Sequence, residues 1–496
     1  MTPMRIAIIG GGPGGLMTAW LLEQRLSHRG DITLFEASPR LGGKIVTPQF
    51  KTAPVSYEAG AAELYDYSRL GEDPLRELVA ELGLSTLPMS GEMVIMGEEI
   101  LPTQEEAGQK WGKETEQALR RFRRQARSWI SPAEYYESDW KQDNEDPLSS
   151  HTFQALLNRI PDPLARKYVE ISVHSDVATE PSKTNAMYGL QNYLMNEPEY
   201  LQLYSIVGGI ERLPQELAKR LSAKILLEQP VIRVERKSPT QLRIISRKAE
   251  NTLSEDFDFV VVALPNNWIP AIEWGGEVLA TAMRKHHQHY DHPAHYLRVS
   301  ILFKEPFWRD QIRESYFMLD AFGGCCVYDE SSRSQGITHG VLGWLVAGNA
   351  AVNLSNFDDA TLIEKMLDSL PKILAGGREA FLEGKVHRWV GSVNGLPGGF
   401  PAREPESRHL PEPTEHSDLF VVGDYLFDST LNGVLDSAEV VGDWIQEKIE
   451  EQDRLATSTM PLGHQAAIPK STETGSALQP QNGNLPMASS REKAKR

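Results

Sequence analysis

The chain has 496 residues, 40% of them hydrophobic and 24% charged, and a formal net charge of −17 from 51 Lys and Arg against 68 Asp and Glu. That length supports a sizeable enzyme with more than one core, while the acidic balance argues against a protein that grips nucleic acid, whose phosphates it would repel. The two cysteines, Cys325 and Cys326, are adjacent and suit neither a disulfide framework nor a zinc site, and without a run of about twenty uncharged apolar residues no transmembrane helix is expected.

The first element is a short apolar run, Ile6, Ala7, Ile8 and Ile9 after Arg5, suited to a strand buried on both faces. A secretory signal is disfavoured because Gly10-Gly11-Gly12-Pro13-Gly14-Gly15 would break the apolar helix it needs. The expectation is therefore a soluble, cytoplasmic protein. Leu16, Ala19, Trp20 and Leu26 then mark one face of a helix ending near Gly30, and Ile32, Leu34 and Phe35 make a second strand that ends on Glu36. Strand, glycine turn, helix, strand and acid within roughly thirty residues is a βαβ unit that binds a dinucleotide. Gly10 permits the tight turn, Gly12 lets a pyrophosphate approach across Pro13 and Gly14, and Gly15 lets helix and strand pack closely. Glu36 is placed to accept hydrogen bonds from a ribose and to repel a 2′-phosphate.

From about residue 103 to 200, charges alternate with apolar positions at helical spacing, as in Ala118, Leu119, Phe122 and Phe153, Leu156, Leu157. This predicts a helical region inserted into an α/β fold. Strands are expected again at 225–227, 242–245, 259–263, 299–303 and 341–346, and the last structured segment is Leu419 to Asp424 followed by a helix through Trp444 and Ile449. Beyond about residue 452 the chain is too polar to offset its ordering entropy, so 452–496 is expected to be disordered.

Arg40-Leu41-Gly42-Gly43-Lys44, soon after Glu36, resembles the R-x-G-G-[KR] element of the flavin amine oxidase superfamily, the group of monoamine, L-amino acid and protoporphyrinogen oxidases and carotenoid desaturases. The similarity continues in the same order. It takes in the glycine turn Val207–Pro214, Val231 where the family packs backbone on adenine, the strand ending Ala263-Leu264-Pro265, and Phe303–Trp308. It closes on Gly423-Asp424 at the ribityl chain, with Asn432-Gly433 near the pyrimidine edge. The resemblance implies FAD and a Rossmann-like, discontinuous FAD-binding domain of residues 1–65, 205–290 and 410–450. An α+β substrate domain, 66–204 and 291–409, containing the helical region, is inserted into it. It also implies hydride transfer from a substrate C–H to flavin N5, with O2 as acceptor.

The substrate end departs from the pattern. The family lysine that holds water against N5 falls on Arg298, whose fixed, always protonated fork suits binding or orientation rather than proton shuttling; a surface arginine on a strand is the alternative. Trp389 resembles a tryptophan packed near the flavin. The position of covalent attachment falls on Gly398, implying noncovalent FAD, and the two cage tyrosines fall on Gly399 and Val434. The arginine that holds an amino-acid carboxylate falls on Glu63, which can pair with a cationic head or simply sit in the first turn of a helix.

Two other clusters fit plainer roles. His286, His287, His289, His292 and His295 lack tetrahedral spacing and are expected in an exposed polar loop, one of them available as a base; no metal is expected. Arg120, Arg121, Arg123, Arg124 and Arg127 read as a solvated helix face balanced by Glu114, Glu116 and Glu134. Three functions stay open: an amine or amino-acid oxidase, a dehydrogenase or desaturase forming a C=C bond in a biosynthetic intermediate, and a flavin-binding protein without turnover. A small-molecule substrate is expected for the first two.

Overall fold

The N-terminal apolar run forms β1, Met4–Ile9, in the middle of a five-stranded parallel sheet. This is a computed structural model that describes residues 3–138, 148–195, 197, 199–333, 336–396, 403–427 and 429–458. Across the sheet the order is Leu419–Val421, Phe259–Val262, β1, β2 (Gly30–Phe35) and Lys224–Leu226. Ile8 sits opposite Leu34 on one side and Val261 on the other.

β1 is apolar throughout its second half because both its faces are covered. Ile6 and Ile8 pack with Leu16, Ala19 and Leu22 of α1, Pro13–Leu26, and with Leu435, Val441 and Ile445 of the closing helix. Ala7 and Ile9 pack on the opposite side with Val234, Ile244 and Met283. Each such aliphatic side chain, taken fully out of water, contributes about 1.5–3 kcal/mol.

A second, seven-stranded sheet, beside a four-stranded and a three-stranded one in the topology, carries another part of the core. Its order is Phe381–Asn394, Pro293–Phe303, Gly340–Ala347, Cys325–Asp329, Tyr316–Leu319, Val94–Met96 and Glu99–Leu101. All its pairings are antiparallel except the one between Tyr316–Leu319 and Val94–Met96. Met1–Ile449 cluster as one compact unit that contains both the five-stranded and the seven-stranded sheet.

Among the described residues, the predicted helical region runs from Gln104 to Leu194 in six helices. Side chains of Thr152, Asp162 and Asn185 each accept from the backbone N–H three residues on, which satisfies otherwise orphaned donors at helix starts. The arginine run lies on Lys113–Trp129, whose buried face is Ala118, Leu119, Phe122 and Ala126. The acids that balance it differ from those expected: besides Glu116, they are Glu105, Glu197 and Glu199, which reach Arg123 and Arg127 from other segments.

Two expectations are corrected. The histidine run is not an exposed loop: His286, His287 and His289 end the helix Glu277–His289, and His286 is fully buried. That helix presents Leu279, Met283 and His286 to the core at spacings of four and three, a face obscured by the polar residues around it. The closing helix runs Leu431–Ser458, past the expected break at 452, since Glu, Gln, Arg and Leu extend a helix without needing burial. Residues 459–496, the remainder of the expected tail, lie outside the described residues, as do Gly398 and Gly399. Among the described residues no helix is long and apolar enough to cross a membrane.

Candidate active site

The carboxyl ends of the parallel strands open onto a cavity of about 840 Å³, where open α/β sheets bind ligands. Gly10, Gly12, Pro13 and Gly14 line it between β1 and α1. Gly15 does not face it; a Cβ there would lie 1.9 Å from the Gly10 carbonyl oxygen, so this position holds the turn shut from behind. A Cβ on Gly12, the residue capping α1, would meet only Gly43 Cα at 3.8 Å. The space in front of that helix end is thus open and faced by backbone N–H groups, which suits a pyrophosphate. Glu36 lines the cavity too, its carboxylate accepting from Gly11 N and Ser38 N, each at 2.7 Å. Each oxygen keeps a further lone pair for a ribose hydroxyl.

The Arg40–Lys44 loop packs on this cradle. Gly42 N donates to Gly11 O at 2.8 Å without lining the cavity, and Gly43, at φ +52°, would place a Cβ 3.0 Å from Gly12 Cα. Arg40 lines the cavity, and its guanidinium donates to the Gly43, Leu41 and Ile45 carbonyls, tying the loop together. Lys44 Nζ reaches Asp424 Oδ2 at 2.6 Å and Ser392 O at 2.9 Å, bridging the first and last segments of the site. Gly423, Asp424, Asn432 and Val434 line the cavity; Gly433 does not, and its N–H bonds Thr430 Oγ1. Asn432 donates to Asp73 Oδ1 at 3.3 Å, while its buried Oδ1 has no partner among the described residues and remains an acceptor for a ligand. Val231 lines the opposite end with Pro230 and Ile232. These residues fit an extended dinucleotide.

Trp389, on the strand Phe381–Asn394, donates from Nε1 to Ala59 O at 2.6 Å and so fixes the Glu58–Glu63 stretch against the second sheet. Glu63 is in no helix; it precedes the strand Leu64–Asp66 and is half-buried on the cavity wall beside Tyr65, Tyr296, Arg298 and Tyr328. Burial raises its pKa, a shift partly offset by a hydrogen bond from Tyr328 and by the charges of Arg333 and Arg298. Asp176 lies close enough for Glu63 to raise its pKa further, after burial.

Arg298 is a buried residue, 1% exposed, and not a surface arginine. Its Nη2 donates to Glu330 Oε1 at 2.6 Å, and its guanidinium lies 5.0 Å from the centre of the Tyr328 ring. Burial opposes the charge, but Glu330, Tyr328 and the neighbouring acids outweigh it and raise the arginine's pKa. Behind them Glu58, 2% exposed, accepts from Ile210 N and Thr47 Oγ1, and its own N–H donates to Glu330 Oε2 at 2.8 Å. Burial pushes the Glu58 pKa up to about 7 against the pull of Arg333, 3.8 Å away.

Sequence reasoning missed Tyr65, Tyr296, Tyr328, Glu330 and Asp176. None of the five histidines lines the cavity; His286 Nε2 instead meets Tyr425 Oη at 3.2 Å behind Asp424, and burial pushes its pKa well down. Among the described residues no group of three His, Cys, Asp or Glu is disposed to hold a metal. The thiols of Cys325 and Cys326 are free and buried, and neither lines the cavity.

A family model described as flavin containing amine oxidoreductase matches residues 13–441. Coproporphyrinogen III oxidase of Mycobacterium tuberculosis is 41% identical over 85 residues, 17% of this chain and 18% of that protein. Prenylcysteine oxidase 1 of Mus musculus is 35% identical over 92 residues, 18% of this chain and 17% of that protein. The match therefore spans under a fifth of these curated relatives' length. Cyclohexylamine oxidase from Brevibacterium oxydans superposes with a TM-score of 0.68 at 18% identity, over 90% of this chain and 100% of that one, a likeness of fold.

Proposed function

The chain belongs to the flavin containing amine oxidoreductase family, and from that premise we propose that it binds FAD noncovalently and oxidises a small cationic amine, with O2 as the final acceptor. When bound, the flavin supplies a hydride acceptor at N5. The nucleotide cradle, Glu36 and the Lys44–Asp424 bridge hold the cofactor, and Trp389 and Arg298 flank the space left for substrate. Two free thiols away from the cavity support noncovalent binding and suit a reducing compartment such as the cytoplasm.

One observation carries the choice of substrate. Among the described residues, Arg298 is the cation lining the end of the cavity near Glu63, already engaged by Glu330, while the acid there, Glu63, faces the cavity. A cationic head meets a carboxyl and tyrosine faces in that space, which favour it through charge and π-face attraction. Among the described lining residues, a polyanion finds at that end no cation other than the engaged Arg298. Holding the substrate carbon in one orientation and excluding water are the contributions of the tyrosine-lined wall.

The second reading, dehydrogenation of a carbon skeleton, is favoured by an arginine at 298, which cannot shuttle protons as a lysine can. Anaerobic mixing of the purified protein with primary amines, amino acids and porphyrinogen or isoprenoid precursors separates the two. Bleaching of the flavin by amines, followed in air by hydrogen peroxide and ammonia, supports amine oxidation. Bleaching only by a carbon-skeleton substrate, with a new C=C bond, overturns it.

A further inference from the structure

One aromatic side chain in the cleft is explained neither by the core nor by the reaction. Trp268 sits on the short 3-10 helix Asn266–Ala271, which follows the strand Phe259–Val262, and is 58% exposed. Its neighbour Ile269 is 1% exposed and packs with Val231, Ile272 and Leu279, so the turn is anchored and its outward face is fixed. Trp268 N–H also donates to Pro265 O at 2.9 Å. Leaving an indole in water forfeits one of the largest apolar surfaces a side chain can bury. Yet this indole lines the same cavity as Gly12 and Glu36.

The position within that cavity is set by two fixed points. Gly12 at the start of α1 marks the pyrophosphate and Glu36 the ribose. Beyond Glu36, Gln229 N donates to Glu36 O at 2.9 Å, which places Pro230, Val231 and Ile232 directly next along the wall. There the lining becomes apolar, with Leu264, Ala271 and Ile272 joining Trp268. A planar, uncharged ring attached to the ribose matches that composition, and a phosphate or a charged head does not.

We propose that Trp268 is a positioning residue for the cofactor, covering the adenine of bound FAD as the outer wall of a slot whose inner wall is Val231. This deepens the FAD reading of the same cleft and rests on it. The indole is exposed because its partner is the base, and stacking on a nucleobase is sequence-tolerant and sizeable.

The test follows FAD release from the full-length holoprotein by the rise in flavin fluorescence on dilution, and ADP binding to the same chain stripped of flavin. Trp268→Ala speeds FAD release about tenfold or more and weakens ADP by a similar factor, whereas Trp268→Phe keeps both near wild type. In the wild-type stripped protein, ADP shields the fluorescence component that Trp268→Phe removes from quenching by acrylamide, a readout independent of any folding defect in the alanine variant. Unchanged ADP affinity in Trp268→Ala, or no shielding by ADP, overturns the proposal while leaving FAD binding intact. A wild-type chain that binds neither ADP nor FAD defeats the FAD reading itself, and this inference with it.

Discussion

Arg298 and Glu330 form the pair on which the substrate end is built, and removing one charge from it should cost far more than removing both. Their side chains are 2% and 1% exposed and their contact is 2.6 Å. With Arg298→Met, Glu330 keeps, among the described residues, the Glu58 N–H on its other oxygen and faces Glu58 itself, a like charge when ionised. A buried charge left without its partner costs about 3–5 kcal/mol. Glu330→Gln strands the guanidinium instead, with Glu58 and Glu63 as weaker, more distant compensation, at a cost of about 2–4 kcal/mol. The double variant Arg298→Met/Glu330→Gln has no uncompensated charge, so it should be more stable than the summed single costs predict by about 2 kcal/mol. The assay is urea unfolding followed by tryptophan fluorescence, with FAD held in fixed excess so that ligand binding contributes equally to all four proteins. Single costs that add to within about 0.5 kcal/mol in the double variant would refute the coupling.

The same Arg298→Met change should slow anaerobic flavin reduction by a substrate amine about a hundredfold or more. FAD occupancy should fall far less; equal losses in rate and occupancy would make Arg298 a cofactor-holding residue. Gly15→Ala drives a methyl group into the Gly10 carbonyl at 1.9 Å, so the purified variant should be colourless or fail to fold. Gly71→Ala, with nothing within 4 Å of the new atom, should remain yellow, and a yellow Gly15→Ala protein would contradict the packing described. Glu58 titrates at about 7 in the fold against an ordinary 4.5, so the folded chain keeps a proton that the unfolded chain has already lost between those values. The contribution of Glu58 to stability should therefore be greatest below about pH 4.5, fall by about 3 kcal/mol as the pH rises to about 7, and level off above it. Unfolding of Glu58→Gln across pH 5 to 8 should lack this component, and an identical slope in both proteins would exclude Glu58 as its source.

The proposed nucleotide cradle is legible in the sequence because its physics is local. Ile6 to Ile9 are apolar without alternation because α1 and the closing helix cover one face of β1 and the helix Glu277–His289 helps cover the other. The turn, the helix and the acid follow at once along the chain, so spacing alone describes the cradle. Even the returning strands Phe259–Val262 and Leu419–Val421 are visible as short apolar runs, although their order in the sheet is not. The histidine helix was obscured for the opposite reason. Its buried face includes His286, a residue whose burial depends on Tyr425, 139 positions away.

The proposed substrate end is harder to read because three separate segments supply it, yet each contributes a polar and an aromatic residue at the same spacing. Glu63 and Tyr65, Tyr296 and Arg298, and Tyr328 and Glu330 are all pairs two residues apart. In an extended chain, residues at i and i+2 lie on one face; this holds for Tyr296 and Arg298 within the strand Pro293–Phe303, whereas Glu63 just precedes Leu64–Asp66 and Glu330 opens a 3-10 helix just after Cys325–Asp329. Inside the second sheet this side cannot be solvent, since Leu297, Val299 and Ile301 on the opposite face of the same strand are fully buried. A polar–aromatic pair at spacing two in an otherwise apolar strand therefore implies either a buried ion pair or a cavity wall. Here it is both: Arg298 and Tyr328 line the cavity, and Glu330 neutralises the arginine from behind. Gly343 makes that arrangement possible, because a Cβ on it would come within 2.3 Å of Glu330 Oε1. The smallest residue of the neighbouring strand thus opens the space in which the acid reaches Arg298, leaving Glu63 as the acid on the cavity wall.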